Sequence, residues 1–360
     1  MKRMLLSILM ILVVVGGSVA AQDIPARADL GEGWTAISPG GETICSRGTP
    51  YTFYVREGSS DNLLIEFQGG GACWNDGTCG LSTPTFDESV DTEDPNDNPE
   101  LGAYGIHDLE NPDNPFADYD MVVITYCTAD VHMGDNVAAY GEGDDAIEVY
   151  HKGNVNATAA LDWAYANFDE PESVFVTGCS AGSLGASFHA PNILANYDGV
   201  RAAVLGDSAG GYRGDLTDQF GTWGTLDILP EFEGFADETL DTLSFNTFWI
   251  EPALQFPDVT FAEYNTAGDE VQTFFISLGG FAVEYPMALE ENLSDIEAAA
   301  DNFASYTAGG DVHCIIPAPW FYTYTVGDVR FSDWVADLAA GEPVETVACT
   351  DCDVAEEVTP

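Results

Sequence analysis

Residues 174–182 read Val174-Phe175-Val176-Thr177-Gly178-Cys179-Ser180-Ala181-Gly182. Four strand-favouring residues run into a serine flanked by small ones, and Ala181 to Tyr197, rich in Ala, Leu and Phe, then takes up helical periodicity. Strand, sharp turn and helix make the form of a nucleophile elbow. Such a turn strains the backbone and draws neighbouring chain close, which is why Gly178, Ala181 and Gly182 are small. A second serine motif, Gly206-Asp207-Ser208-Ala209-Gly210, also comes after an apolar run, Ala202-Ala203-Val204-Leu205. The continuation, Gly210-Gly211-Tyr212-Arg213-Gly214-Asp215, has a loop composition. With no helix N-terminus directly behind Ser208, the turn geometry and the helix dipole are both missing. Ser180 is therefore the candidate nucleophile and Ser208 the alternative.

Outward from the elbow, further strands are expected at Leu63–Phe67, Met121–Tyr126, Ala202–Leu205, Val259–Tyr264 and Phe303–Tyr306. Most are continuous apolar runs, the pattern of buried parallel strands. Helical patterns lie between them, notably Asp144–Phe168 and Pro286–Asn302. The alternation predicts an α/β-hydrolase fold, with a mostly parallel central sheet and helices on both faces. Two segments interrupt it. Pro84–Asp118, dense in Asp, Asn and Pro, reads as a long surface loop. Its acidic run 91–97 lacks EF-hand spacing and the turn glycine, so a solvated loop is preferred over calcium binding. Residues 212–257 carry Phe220, Trp223, Phe232, Phe235, Phe245, Phe248, Trp249 and Phe256. They read either as a cap-like insertion over the site or as ordinary core aromatics.

Acyl transfer at a serine needs a base, an acid to orient the base, and donors for the oxyanion. In a parallel-sheet hydrolase the chain order is serine, acid, histidine, which leaves His189 and His313. His189 lies within the helix that the serine starts and cannot readily fold back to Oγ. His313, in Ala308-Gly309-Gly310-Asp311-Val312-His313-Cys314, is the expected base. The acid belongs at the C-terminal end of a strand between the two. Asn265-Thr266-Ala267-Gly268-Asp269 has that form, so Asp269 is chosen over Asp207, Asp258 and Glu270. After the strand 63–67 comes Gln68-Gly69-Gly70-Gly71-Ala72-Cys73-Trp74. Three consecutive glycines free the backbone to aim N–H groups inward, predicting oxyanion donors from Gly70 or Gly71 with Ala181. This chemistry requires no metal and no cofactor.

The chain has 360 residues, with 61 acidic against 9 basic and a formal charge of −52. Such a surface repels nucleic acid and anionic lipid; an acidic excess this large reads as a solvated shell rather than a binding feature, and it says nothing about the fold. Residues 1–21 have the form of a signal peptide: Lys2 and Arg3, an apolar stretch Met4–Val15, then small residues. No later run is long and apolar enough for a membrane span, so no stable membrane association is expected. The protein is expected outside the cytoplasm, extracellular or periplasmic. There the eight cysteines favour disulfides over metal or redox chemistry. Cys179 reads as a buried thiol or half of a bridge, and Cys349-x-x-Cys352 as a local staple. A single domain over 22–345 is expected, followed by an acidic tail, 346–360.

Several ordered motifs together resemble the pectin acetylesterase and Notum family of secreted α/β-hydrolases. They are Gly69-Gly70-Gly71-Ala72-Cys73 with Cys79 behind, Tyr126-Cys127 leading to Gly134-Asp135, Gly153-Asn154, Val176 to Gly182, Asn265 to Asp269, and His313-Cys314. The resemblance implies a triad of Ser180, Asp269 and His313, an oxyanion hole at Gly70, Gly71 and Ala181, and disulfides Cys45–Cys127 and Cys73–Cys79. Two departures bear on the substrate pocket. Ala72 stands where family members often have tryptophan, and Ser183 where glycine is common. The likeness implies deacetylation of pectin-like polysaccharide or removal of a fatty acyl group. A strongly acidic protein and a polyanionic galacturonan repel each other unless screened, so a small ester or neutral acetylated glycan suits this surface better. Competing readings are an esterase that uses Ser208, similar to the hormone-sensitive lipases, and a non-catalytic glycan-binding protein. A peptidase or lactonase would share the same triad.

Overall fold

A computed structural model describes residues 24–80, 84–143 and 146–357; the leader expected at 1–21 lies outside these. The strands in chain order are β1 (Trp34–Ile37), β2 (Phe53–Arg56), β3 (Asn62–Phe67), β4 (Asp120–Ile124), β5 (Asn136–Tyr140), β6 (Ile147–His151), β7 (Ser173–Cys179), β8 (Arg201–Asp207), β9 (Thr260–Thr266), β10 (Phe303–Ala308), β11 (Tyr324–Val326), β12 (Val329–Arg330), β13 (Val347–Ala348) and β14 (Glu356–Glu357). The helices are α1 (Asp76–Cys79), α2 (Gly153–Asn167), α3 (Ala181–Asn196), α4 (Thr217–Trp223), α5 (Thr247–Gln255), α6 (Glu270–Gly279), α7 (Tyr285–Ala299) and α8 (Phe331–Ala340).

Nine strands form the central sheet in the order β1-β2-β4-β3-β7-β8-β9-β10-β13. From β4 to β13 every neighbouring pair is parallel, and β1 and β2 add an antiparallel edge. Alternating side chains of each parallel strand enter opposite layers. Leu63, Ile65, Phe67, Val174, Val176 and Val204 pack in one core, and Leu64, Phe175, Ala203 and Leu205 in the other. Burial on both faces is why these strands are apolar throughout.

Chain order reverses between β3 and β7: β3 leads outward to β4, and β7 leads the other way through β8, β9 and β10. A crevice opens outside the carboxyl ends of parallel strands at such a switch point. Here the loops after β3, β7, β9 and β10 meet there. They carry the glycine run, Ser180, Asp269 and His313.

Two segments differ from expectation, and a third divides. The helix expected over Asp144–Phe168 is a strand followed by a helix, because Ile147 to His151 pairs antiparallel with Asn136 to Tyr140 and only then does α2 begin. Residues 346–357, read as a tail, are built into the fold. Val347 and Ala348 extend the sheet beside β10, and Glu356 and Glu357 pair with β11. The aromatics of 212–257 divide between two buried clusters: Trp249 lies in the main core, whereas Phe220, Trp223 and Phe248 lie in a separate cluster with residues of α3.

Candidate active site

Ser180 occupies the turn between β7 and α3 at φ 54°, ψ −122°. A non-glycine residue there costs on the order of 1–3 kcal/mol and persists only where its surroundings hold it. The Ser180 N–H donates to the Asp207 carbonyl at 2.7 Å, and the Ser180 carbonyl accepts from Ser183 N–H at 2.9 Å. A Cβ on Gly178 would lie 2.6 Å from the Phe67 carbonyl oxygen, and one on Gly182 2.9 Å from the Gln68 carbonyl carbon. The small residues flanking Ser180 thus let the end of β3 press against the elbow. Ser180 is 8% exposed, and its hydroxyl has no hydrogen-bond partner among the described residues.

Asp269 is fully buried as the N-cap of α6. Its Oδ1 accepts from the N–H groups of Val271 and Gln272, both at 2.9 Å, and its Oδ2 accepts from Gln272 Nε2 at 3.0 Å. The helix N-terminus and these donors suit a carboxylate. Oδ2 also lies 2.7 Å from His313 Nδ1. A carboxylate only accepts, so Nδ1 of His313 carries a proton, which leaves Nε2 as the ring nitrogen that can take one up. Nε2 is buried without a partner among the described residues.

The loop bearing His313 is fastened from several sides. Cys314 N–H donates to Ser208 Oγ at 3.0 Å, Ser208 Oγ donates to Asp207 Oδ1 at 2.7 Å, and Ile316 N–H donates to Asp207 Oδ2 at 2.8 Å. Burial raises the Asp207 pKa to about 6, against the opposing pull of Ile316 N–H and Ser208. Ser208 is wholly buried, with its hydroxyl engaged on both sides. Cys179, beside Ser180, forms a disulfide with Cys314, beside His313, across 135 residues of sequence. The segment expected as a tail also holds this loop, with Gly310 N–H on the Cys352 carbonyl at 3.1 Å. Neither Asp207 nor Ser208 stood out as a support in the sequence, since both act on residues more than a hundred positions away.

The glycine loop lies directly against the elbow: a Cβ on Gly69 would come within 3.1 Å of Ser180 Cβ. Gly70 at φ 154° and Gly71 at φ 75° take up conformations that side chains disfavour. Ala72 N–H donates to the Thr85 carbonyl at 3.3 Å, whereas the N–H groups of Gly70, Gly71 and Ala181 have no acceptor among the described residues. His132 supports this loop from behind. Burial lowers its pKa to about 3, so the ring is neutral and Nε2–H donates to the Gln68 carbonyl at 2.9 Å. Cys73 is bridged to Cys79, and Cys45 to Cys127, so all eight cysteines are paired, the last two as Cys349–Cys352. His189 is engaged elsewhere, its Nε2 lying 2.9 Å from the His132 carbonyl oxygen.

Two cavities meet at Ser180 and Gly71. One, of about 40 Å³, is apolar and lined by Ala72, Trp74, Leu184, Leu216, Trp223 and Phe245 among others. The other is a cleft of about 890 Å³ that includes His313, Asp87, Asp97, Tyr104 and Phe275. Ala72 and Trp74 both face the small cavity, and the aromatic cluster of 212–257 supplies its far wall.

No curated protein matches the sequence. Among solved structures the fold is similar to that of the Wnt deacylase Notum from Drosophila, with a TM-score of 0.56 at 14% identity over 85% of this chain and 93% of that one. The sequence model of the pectinacetylesterase family matches residues 36–234. With more than half of its length matched, and the elbow and glycine loop inside the matched region, the chain belongs to the pectinacetylesterase family, whose members are carboxylesterase-type hydrolases.

Proposed function

We propose that this protein is an exported serine carboxylic-ester hydrolase that removes a short acyl group, acetyl foremost, from a carbohydrate hydroxyl or other small alcohol. The observation that carries the reading is His313, with Nδ1 on buried Asp269 and a free Nε2 in the same cleft as Ser180. In the reaction Ser180 Oγ attacks the ester carbonyl while His313 Nε2 takes its proton. Asp269 fixes the ring and stabilises the imidazolium. The N–H groups of Gly70, Gly71 and Ala181 receive the oxyanion, each such donor contributing about 3 kcal/mol. His313 then protonates the departing alcohol. A water, deprotonated by the same nitrogen, releases the acid and restores Ser180.

The two cavities divide the substrate. An apolar space of about 40 Å³ suits an acetyl group. An engineered cavity that takes up benzene is roughly 150 Å³, so a fatty chain does not fit without rearrangement. The wide cleft suits a bulkier alcohol portion. Ester turnover across p-nitrophenyl acetate, butyrate, octanoate and palmitate tests this. Acetate should be preferred, and Ser180→Ala should lower kcat/KM by about 10⁴-fold or more. Preference for palmitate would replace the acetyl reading with a fatty-acyl one, and an active Ser180→Ala would remove the nucleophile assigned here.

A further inference from the structure

The cleft beside Ser180 carries carboxylates that no cationic side chain among the described residues neutralises. Asp87, Asp91, Asp94 and Asp97 all line it, and none pairs with a Lys, Arg or His among the described residues. Two other acids on its wall are already paired, Glu88 with Arg47 and Glu66 with His107. Among the described residues no lysine or arginine lines it. The carboxylates of Asp91, Asp94 and Asp97 accept backbone N–H groups within their own loop, and that of Asp87 is held close to the reacting centre. Asp87 N–H donates to the Gly70 carbonyl at 2.9 Å, and a Cβ on Gly70 would lie 2.6 Å from Asp87 Oδ2. Gln68 Nε2, leading into the same glycine loop, donates to the carbonyls of Asn96 and Asp97, both at 3.3 Å.

That this cleft receives a ligand is argued independently by Ser180, whose nearly buried, unpartnered hydroxyl opens into it. Tyr104, 57% exposed, lines the same cleft and supplies an aromatic ring, a group that attracts cations. Resting on the esterase reading above, we propose that the cleft selects esters whose alcohol portion is positively charged, with an O-acetylated amino-sugar chain as the natural class. The reaction remains hydrolysis: water is consumed, the acyl C–O bond of the ester breaks, a new one forms to the water oxygen, and acetate, a proton and the free hydroxyl are released. A cleft lined by one sign of charge focuses its field and raises the local concentration of the opposite charge, by factors of about 10 to 10³. A uronate chain meets the same wall as a repulsion.

The test compares three benzyl acetates differing only in the para substituent, trimethylammonium, hydrogen or carboxylate, each rate divided by that ester's alkaline hydrolysis rate. At low salt the cationic ester should exceed the anionic one in kcat/KM by about 10-fold or more. At about 1 M salt, where the Debye length is about 3 Å, the ratio should fall toward one. In the double variant Asp94→Asn with Asp97→Asn the low-salt ratio should also fall, and a ratio measured within one variant does not depend on how much of it folds. O-acetylated chitosan oligomers should release acetate faster than O-acetylated oligogalacturonides. A low-salt ratio near one, or a ratio unchanged in the double variant, overturns the charge selection while hydrolysis of the neutral ester leaves the esterase reading standing. No turnover of any of the three overturns both.

Discussion

Ser180 and Ser208 show how similar residues in similar motifs come to differ. Both lie at positive φ, 54° and 62°, at the carboxyl ends of adjacent strands. Ser180 leads at once into α3 and faces open space. Ser208 leads into a loop and spends its hydroxyl on Asp207 and Cys314. Ser208→Ala would leave buried Asp207 and the half-buried Cys314 N–H each short of a partner, costing about 1–3 kcal/mol. The expected result is a lower Tm together with ester turnover far above that of Ser180→Ala, checked by thermal melts and kcat on the same preparations. Loss of turnover equal to that of Ser180→Ala would assign Ser208 a direct part in the chemistry. Ser180, Asp269 and His313 could all be nominated from the sequence because chain order, an elbow and a strand-end turn are local signals. The couple Asp207–Ser208 and the ring of His132 could not, since their partners Cys314, Ile316 and Gln68 are distant in sequence.

Among the elements, the segment 212–257 links the packed core to the wall of the small cavity. Its helices α4 and α5 bury Phe220, Trp223 and Phe248 against α3, and the inner edge of the same cluster walls the small cavity beside Ser180. Leu216, 3% exposed at the N-terminal edge of α4, projects into that wall. Leu216→Ala should open room for two or three more carbons. One methylene in an apolar pocket is worth about 1–3 kcal/mol in discrimination, so the butyrate-to-acetate ratio of kcat/KM should rise about 10-fold or more. A ratio that stays put would show that the acyl group sits elsewhere. The sequence displayed the aromatics of this segment but left their role open, because a core residue and a pocket wall have the same composition. The strand β6 was hidden for a related reason. Ile147 to His151 becomes a strand only by pairing with β5, and its short pattern merges into the helix after it.

At the scale of the whole molecule, buried acids shape the response to pH. Burial raises the pKa of Asp130 to about 7 and that of Glu263 to about 8. A carboxyl with a higher pKa in the folded than the unfolded chain binds more protons when folded, so stability falls as pH rises between the two values. Asp87, Asp97 and Asp207, raised by burial to about 6, are mostly ionised above that pH. The buried His132, His189 and His151, lowered to about 3, 4 and 4, act in the opposite sense, but only as pH falls below the ordinary histidine value of 6.5. From about pH 6.5 to 8.5 the Tm should therefore decline, and Glu263→Gln should flatten the decline, as measured by scanning calorimetry. A Tm that rises over this interval would contradict the assignment. The sequence by itself determined the layered α/β architecture, the strand–turn–helix around Ser180, the glycine loop after β3 and the strand-end turn that carries Asp269, because apolar periodicity and turn chemistry are properties of neighbouring residues. Only the tertiary structure decided the Cys179–Cys314 bridge, the incorporation of residues 346–357 into the fold, and the meeting of a small apolar cavity with an unneutralised acidic cleft at one serine. Each of these depends on which distant segments the sheet order brings side by side, and a strand's own residues do not specify its neighbours.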